Sequence, residues 1–341
     1  MKPLRRTASL LAVTALTAAA AAACSSSSGA ATDSRQGTST AATITIRIPD
    51  PGNSGSLALG KKDGSLAAAL ATVHAKVEWT GTAGAFAPAA QELDANELDV
   101  AEGSITSAIA ALAQKPGFTL FAAVTPDEIG EGILVKDGSG INSVADLAGK
   151  KVVVWHGGSS EYLLLKALAK YHVPVSSVQR VYLMPNQSAA VLHSGQVDAW
   201  ATWASFSLYE QANEHEHFVA TAGQIGSQNY AVWAVRTAFL TAHPEVVKAL
   251  YDYLHQADLK QAQNPSAYVN VFRTSGPDAV SGKDEQLTVQ DLGALGPTSA
   301  ITAADEKAFA DVATFFAQEK VTDGVLDLAP HIVSVESLGT S

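Results

Sequence analysis

Residues 156–160 read His-Gly-Gly-Ser-Ser, and this stretch is the strongest candidate for chemistry in the chain. Two successive glycines let the backbone turn tightly and bring its N–H groups close to a ligand. The serines stand where a helix would begin, from about Glu161, with Leu164 and Leu168 on one face. Backbone N–H groups at a helix start, with the positive end of the helix dipole, hold an anion without a buried countercharge. Ser159 and Ser160 would add hydroxyl donors, Gly158 would allow close approach, and His156 could supply one more donor. The competing reading is an ordinary βα turn in which a serine only caps its own helix.

Other side chains could complete such a site. Trp200 and Trp203 bracket a bend from strand to helix, so at least one should reach a cleft. Asn229 and Tyr230 could offer side-chain donors, and Arg236 could act as a countercharge. Glu214-His215-Glu216-His217 has metal-ligand types, and alternate strand positions would put His215 and His217 on one face. A solvated loop after a helix explains that tetrad more simply, so neither metal nor cofactor is expected. Enzyme signatures are missing: no Gly-x-Ser-x-Gly elbow, no His-Glu-x-x-His, no phosphate loop and no Gly-x-Gly-x-x-Gly. Binding without chemistry is therefore the expected activity.

The elements that must position these groups follow from the pattern. Val152–Trp155 is an apolar, β-branched run bounded by glycine, a buried strand. The units Val77–Ser104 and Val152–Trp203 repeat one plan: strand, glycine loop, helix, strand, then small polar residues before another helix. Strands alternating with helices predict parallel sheets covered on both faces, with ligands beyond the carboxyl ends of the strands. Two such units predict two α/β lobes facing a common cleft. Val219–Val235 reads as the return crossing, Pro244–Gln263 as a long helix, and Thr302–Glu319 as a last amphipathic one.

The 341 residues suit two lobes, and 47% hydrophobic residues suffice for packed cores. A net charge of −11 argues against a nucleic-acid partner. Cys24 is the single cysteine, which excludes a disulfide framework and any thiol-dependent site in the folded part. Lys2, Arg5 and Arg6 followed by the short apolar segment Ala8–Ala22 have the layout of an export signal. Ser25–Ala42, rich in Ser, Thr and Ala, reads as a flexible tether.

With these residues collected, the chain resembles the solute-binding lipoproteins of ABC importers, in the aliphatic sulfonate/nitrate/taurine group. The matching stretches are ILVKDGSGINSVADLAGKKVVV, GGSSEYLLLKAL and SGQVDAWATWASF, densest from Gly130 to Phe206. Their combined order is specific, while each fragment alone is weak. The resemblance implies a signal peptide over 1–23 and lipid attachment at Cys24 on a tether over 24–42, outside the plasma membrane. It also implies two doubly wound α/β lobes joined by two hinge strands, a periplasmic-binding-protein type II-like fold. Lobe 1 would comprise 43–133 and 234–341, and lobe 2 would comprise 134–233.

Carried over by position, the ligand-binding residues would be Gly81, Thr82 and Gly84 of one glycine loop and Ser104 and Thr106 of the next. Gly158, Ser159, Ser160, Trp200 and Trp203 would join them. Residues 103–106 and 203–205 lack the carboxylates found there in many members, which speaks against an ammonium-bearing ligand such as taurine. The function implied is capture of a small anion, an organic sulfonate, for delivery to a membrane permease by a monomeric carrier. The alternatives are a nitrate, bicarbonate or thiamine-precursor carrier, or an enzyme on the same scaffold.

Overall fold

The structure is a computed structural model that describes residues 42–81, 84–114 and 117–339. The signal segment, Cys24 and Thr82 lie outside the described residues. The first half runs β1 (Ile44–Pro49), α1 (Ser56–Asp63), α2 (Ser65–Ala71), β2 (Ala75–Thr80), α3 (Phe86–Asp94), β3 (Val100–Ser104), α4 (Ile105–Leu112) and β4 (Phe118–Val124). Gly64, at φ +80°, breaks the helical run into α1 and α2. The chain then crosses to a second sheet. There it forms β5 (Gly132–Lys136), β6 (Lys151–Val154), α5 (Ser159–Lys170), β7 (Gln179–Tyr182) and α6 (Pro185–His193). That lobe is completed by β8 (Ala199–Thr202), α7 (Ala204–Asn213), β9 (Glu216–Thr221) and the single turn α8 (Ala222–Ile225). After returning, the chain adds β10 (Ala231–Arg236), α9 (Thr237–Ala242), α10 (Pro244–Gln263), α11 (Gly282–Ala294) and α12 (Ala303–Gln318).

The sheet orders are β3-β10-β4, with β1-β2 beside it, and β7-β6-β8-β5-β9. The pairs β1–β2, β6–β7 and β6–β8 are parallel, but β5 and β10 run antiparallel to both neighbours. The expected parallel sheets are thus mixed, and the cause is the crossings. Most strands end at the cleft; β5 and β10 begin there, straight after a crossing, and must run away from it. Each of these two strands also carries a register shift, at Ile133/Leu134 and at Trp233/Ala234. α11 was absent from the sequence reading because it has no apolar stripe: its buried residues are Asp284 and Asp291.

Separate apolar cores lie on the sheets. One packs α4 and α12 through Ile105, Ile109, Phe309 and Phe316, and a second packs α5 of the other lobe through Leu163, Leu164 and Leu168. Tyr162 of α5, fully buried, leaves its own lobe and packs edge-on against Phe315 and Phe316 of α12, at 5.6 and 5.9 Å between ring centres. Among the described residues no helix is long and apolar enough to cross a membrane.

Asp99 stitches the first lobe together. Its carboxylate, 1% exposed, accepts from Arg47 Nε at 2.8 Å and Nη2 at 2.8 Å, and from Arg236 Nη2 at 2.7 Å. The Asp99 N–H donates to the Arg47 carbonyl and its own carbonyl accepts from Arg236 N–H, so β1, the entry to β3 and β10 meet at one residue. Burial pushes this carboxyl up, but Arg47 and Arg236 outweigh it and hold it below the ordinary range. Arg236 is therefore committed here and does not serve as a countercharge in the cleft. Removing one partner of a buried charged cluster leaves the others uncompensated. Asp99→Ala should lower unfolding stability by about 3 kcal/mol, read as a reduced midpoint in urea with an unchanged slope.

Candidate functional site

Between the two sheets lies a cleft of about 790 Å³, within the range typical of small-molecule sites. Four helices start on its wall. The residues before α1, α3, α5 and α7 are Gly55, Ala85, Gly158 and Trp203, and none supplies a side-chain cap. Gly55, Ala85, Ser159 at the start of α5 and Trp203 all line the cavity. Uncapped helix starts leave N–H donors and positive dipole ends facing the same space. A fifth helix, α4, also starts there, but the Ser104 hydroxyl caps it by accepting from Ser107 N–H at 3.2 Å. No Lys, Arg or His of the described residues lines the cavity.

The glycine turn is more self-contained than its sequence suggests. Gly157 has φ +68°, and a side chain at Gly158 would meet the Trp155 indole at 2.6 Å. Ser159 faces the cleft, whereas the Ser160 hydroxyl accepts from Trp155 N–H at 2.7 Å and is buried. Neither serine caps α5, contrary to the sequence expectation; the helix begins at Ser159, two residues before Glu161, with Gly158 as the residue before it. Glu161 reaches back instead. Its carboxylate, 0% exposed, accepts from Gly157 N–H at 2.8 Å, from Arg180 Nη1 at 2.7 Å and from the Tyr182 hydroxyl at 2.7 Å. His156 Nδ1 lies 3.0 Å from the same carboxylate. One N–H of the turn and its nearest cation are thereby satisfied within the protein, and Ser159 is the hydroxyl left to a solute.

Carboxyl groups also line the cleft: Glu92, Glu102, Asp127, Glu131 and Asp258. The expectation of a carboxylate-poor cleft from residues 103–106 and 203–205 is corrected by these positions, which lie elsewhere in the chain. Asn229 joins them to the hydroxyls: Thr106 Oγ1 donates to Asn229 Oδ1 at 2.8 Å, and Asn229 Nδ2 donates to Glu131 Oε1 at 2.9 Å. Ser104 lies 2.9 Å from Thr106. This chain of bonds runs from α4 through the return crossing to the residue before β5. Burial and nearby Asp127 push Glu131 well above the carboxylate range, and burial with Asp258 pushes Glu102 up to about 7. The Asp127 carboxylate accepts from Gly130 N–H at 2.7 Å. Burial and the adjoining Asp127 push Asp291 of α11 well above its usual range.

Of the residues singled out in the sequence, Gly81, Gly84, Ser104, Ser159, Trp203 and Asn229 meet at the cleft. Thr106 is fully buried and orients Asn229 from behind. Trp200, 2% exposed, packs on Phe206 in the second lobe's core, while Trp203 packs edge-on against the same ring and faces the cavity. Tyr230 packs against Phe309, and His156 and Gly157 open onto a neighbouring groove of about 450 Å³. Sequence reasoning takes Trp155 as part of a buried strand and passes over Ser107 and the carboxyls. Trp155 instead follows β6 and lines the cleft just before the glycine turn, a usable signal; the acids stand in no pattern.

The fold and site define a two-lobe α/β protein with an interlobe cleft built for a small solute. A family model described as NMT1/THI5 like matches residues 86–267, more than half of the sequence, and the chain belongs to that family. It is 35% identical over 159 residues to an Escherichia coli (strain K12) protein named for aliphatic sulfonates binding. That alignment covers 43% of this chain and about half (49%) of the relative. It is 28% identical to the taurine-binding periplasmic protein of the same organism, over 68% of this chain and 74% of that one. The alkanesulfonate-binding protein SsuA from Xanthomonas axonopodis pv. citri, solved with MOPS, has the same fold: TM-score 0.75, 24% identity, 86% of this chain and 99% of that one. The desulfurization enzyme DSZB shares the fold at TM-score 0.60 and 18% identity, over 85% of this chain and 96% of that one.

The raised carboxyls carry a sign. A folded acid with a raised pKa keeps a proton that the unfolded chain has released, so stability falls as pH rises above the ordinary carboxylate range. Thermal unfolding followed from about pH 5 to about pH 9 should show a falling midpoint. Asp291→Asn, which presents an amide N–H to Asp127 at every pH, should flatten that fall.

Proposed function

We propose that the protein is the extracytoplasmic solute-binding component of an ABC importer, capturing a small organic sulfonate between its lobes for a membrane permease. The observation that carries this reading is the set of uncapped helix starts on one cavity that has no basic side chain among its described lining residues. Such a site holds an anion through dipoles and neutral donors, tightly enough to capture it and without an ion pair that would slow release. Burial pushes the Glu131 carboxyl well above its usual range, which disfavours a negative charge beside the anion. Trp203 gives an apolar wall for a short organic tail. The relatives named for sulfonate and taurine binding support the same class.

Ser159, Ser104 and Asn229 would contact the solute, with the glycine loop at Gly81 and Gly84 beside it. The crossings at 125–131 and 226–230 would act as hinges, so that lobe 1 spans about 43–124 with 231–341 and lobe 2 spans about 132–225. Closing such lobes excludes water from the bound anion. Lipid at Cys24 would keep a monomeric carrier beside its permease. No catalysis is assigned, because a thiol-dependent step would need a cysteine at the cleft and the single cysteine, Cys24, lies outside the described residues.

A second reading has its own observation. Glu102 and Asp127 on the cavity wall would suit a solute whose far end is cationic, an aminosulfonate. Thermal unfolding of the protein against alkyl sulfonates, taurine, nitrate, sulfate and a thiamine precursor separates these cases. A ligand at 100 times its Kd stabilises by about 2.7 kcal/mol, a midpoint rise of a few degrees. Alkyl sulfonates should produce it, and Trp203→Ala should weaken a hexyl sulfonate by about tenfold through lost apolar contact. A rise with taurine that exceeds ethanesulfonate, and that Glu102→Gln abolishes, would select the second reading. A response to nitrate or the thiamine precursor alone would overturn both.

A further inference from the structure

The tetrad Glu214–His217 turns out to divide. His215 is exposed at φ +56°, and His217 Nδ1 pairs with Asp137 at 2.6 Å on the surface. Glu216, the first residue of β9, turns the other way and points inward. Its side chain is 0% exposed, and neither carboxylate oxygen has a hydrogen-bond partner. A buried carboxylate without donors is expensive to keep. The groups it faces are ligand types. His193 Nε2, at the end of α6, lies 3.6 Å from Glu216 Oε1, and Glu210 Oε2, on α7, lies 2.6 Å from the same nitrogen. The three donor atoms all fall within 4.8 Å of one another.

We infer that His193, Glu210 and Glu216 form a site in the second lobe for one divalent transition-metal ion, with Zn²⁺ the best match. Ligand chemistry narrows the choice. Zn²⁺ takes imidazole nitrogen and carboxylate oxygen at about 2.0–2.2 Å, which sets tetrahedral donors about 3.4 Å apart. The 2.6 and 3.6 Å separations from His193 bracket that value, and the two carboxylates lie within 4.8 Å of each other, so side-chain adjustment without backbone movement would seat the ion. Ca²⁺ needs six or more oxygens and Mg²⁺ an octahedron of them, and a nitrogen with two carboxylates suits neither. Two carboxylates balance the ion's charge, and Glu216 gains the partner it lacks.

His193 is 35% exposed, which leaves an open side for entry and for a fourth ligand from water. Lys136 Nζ donates to the His193 carbonyl at 2.9 Å and steadies the end of α6. None of the three residues lines the cleft, so this site is distinct from the solute site. It would tie α6 and β9 to α7, the helix that begins at Trp203.

The test is calorimetric titration of the full chain, stripped with a chelator and free of any sulfonate, with Zn²⁺ and with Mg²⁺. One equivalent of Zn²⁺ should bind, with no saturable Mg²⁺ binding, and the unfolding midpoint should rise. Co²⁺ in place of Zn²⁺ should give visible d–d absorption. Glu216→Gln is isosteric and removes an unpartnered charge, so it should fold at least as stably without metal. Glu216→Gln and His193→Ala should each weaken Zn²⁺ at least tenfold and erase the Co²⁺ spectrum, whereas His215→Ala should not. Absence of saturable Zn²⁺ binding would overturn the inference. Binding unchanged in Glu216→Gln and His193→Ala would overturn it equally, by placing the ion elsewhere.

Discussion

Strand direction governs this molecule. A strand that ends at the cleft hands the chain to a helix that begins there, and a helix that begins there turns its unpaired N–H groups into the cavity. α3, α4, α5 and α7 all arise in this way, after β2, β3, β6 and β8. The two strands that reverse the direction, β5 and β10, reach the cleft only as the landing points of the crossings. One topological rule therefore produces both the field in the cavity and the two connections between the lobes. Neither depends on a charged side chain at the site.

A cavity ringed by positive dipole ends attracts the protein's own acids as well as a solute. Glu161 is the clearest case. It stands in the first turn of α5, takes the Gly157 N–H, and draws in Arg180, Tyr182 and His156. Placed under the helix start and sealed from water, it fixes the turn, and the remaining donors of α5 stay free. Glu131 is handled differently: it has an amide donor from Asn229 and no cation, and burial with nearby Asp127 pushes its carboxyl well above the usual range. One acid is offset by its partners and the charge on the other is disfavoured by burial, so each opposes an incoming anion less than a bare carboxylate would.

The sequence carried the secondary structure well where local rules suffice. Pro244–Gln263 matches its expected span and Ala303–Gln318 falls within one residue of its own at each end, since a helix opened by proline and an amphipathic stripe are short-range statements. The glycine turns were legible for the same reason. What could not be read is orientation about an axis. Ser159 and Ser160 differ by about 100° around α5, enough to send one hydroxyl to the cleft and the other to Trp155. Trp200 and Trp203 separate likewise, because the strand ends between them. The acids Glu102 and Asp258 reach the cleft from distant parts of the chain, where they join Asp127 and Glu131 of the outward crossing, and only the tertiary fold assembles them; α11 hides because it packs through polar residues.

The contacts between the lobes show what a hinge here must break and remake. Tyr162 leaves the second lobe's core to sit against α12, and the position of a Gly158 side chain falls 3.5 Å from Ser107 of α4. Opening the lobes would expose an aromatic ring and widen the gap between two helix starts that share the cavity. The bond chain from Thr106 through Asn229 to Glu131 spans the crossings themselves, and rotation of the lobes need not break it. The apolar contact at Tyr162 favours the arrangement seen here with or without a solute; a bound anion would add to it only where both sets of helix starts reach the same oxygens. A solute that touches both lobes would then bind this arrangement better than an opened one, the condition under which a ligand can close a hinge.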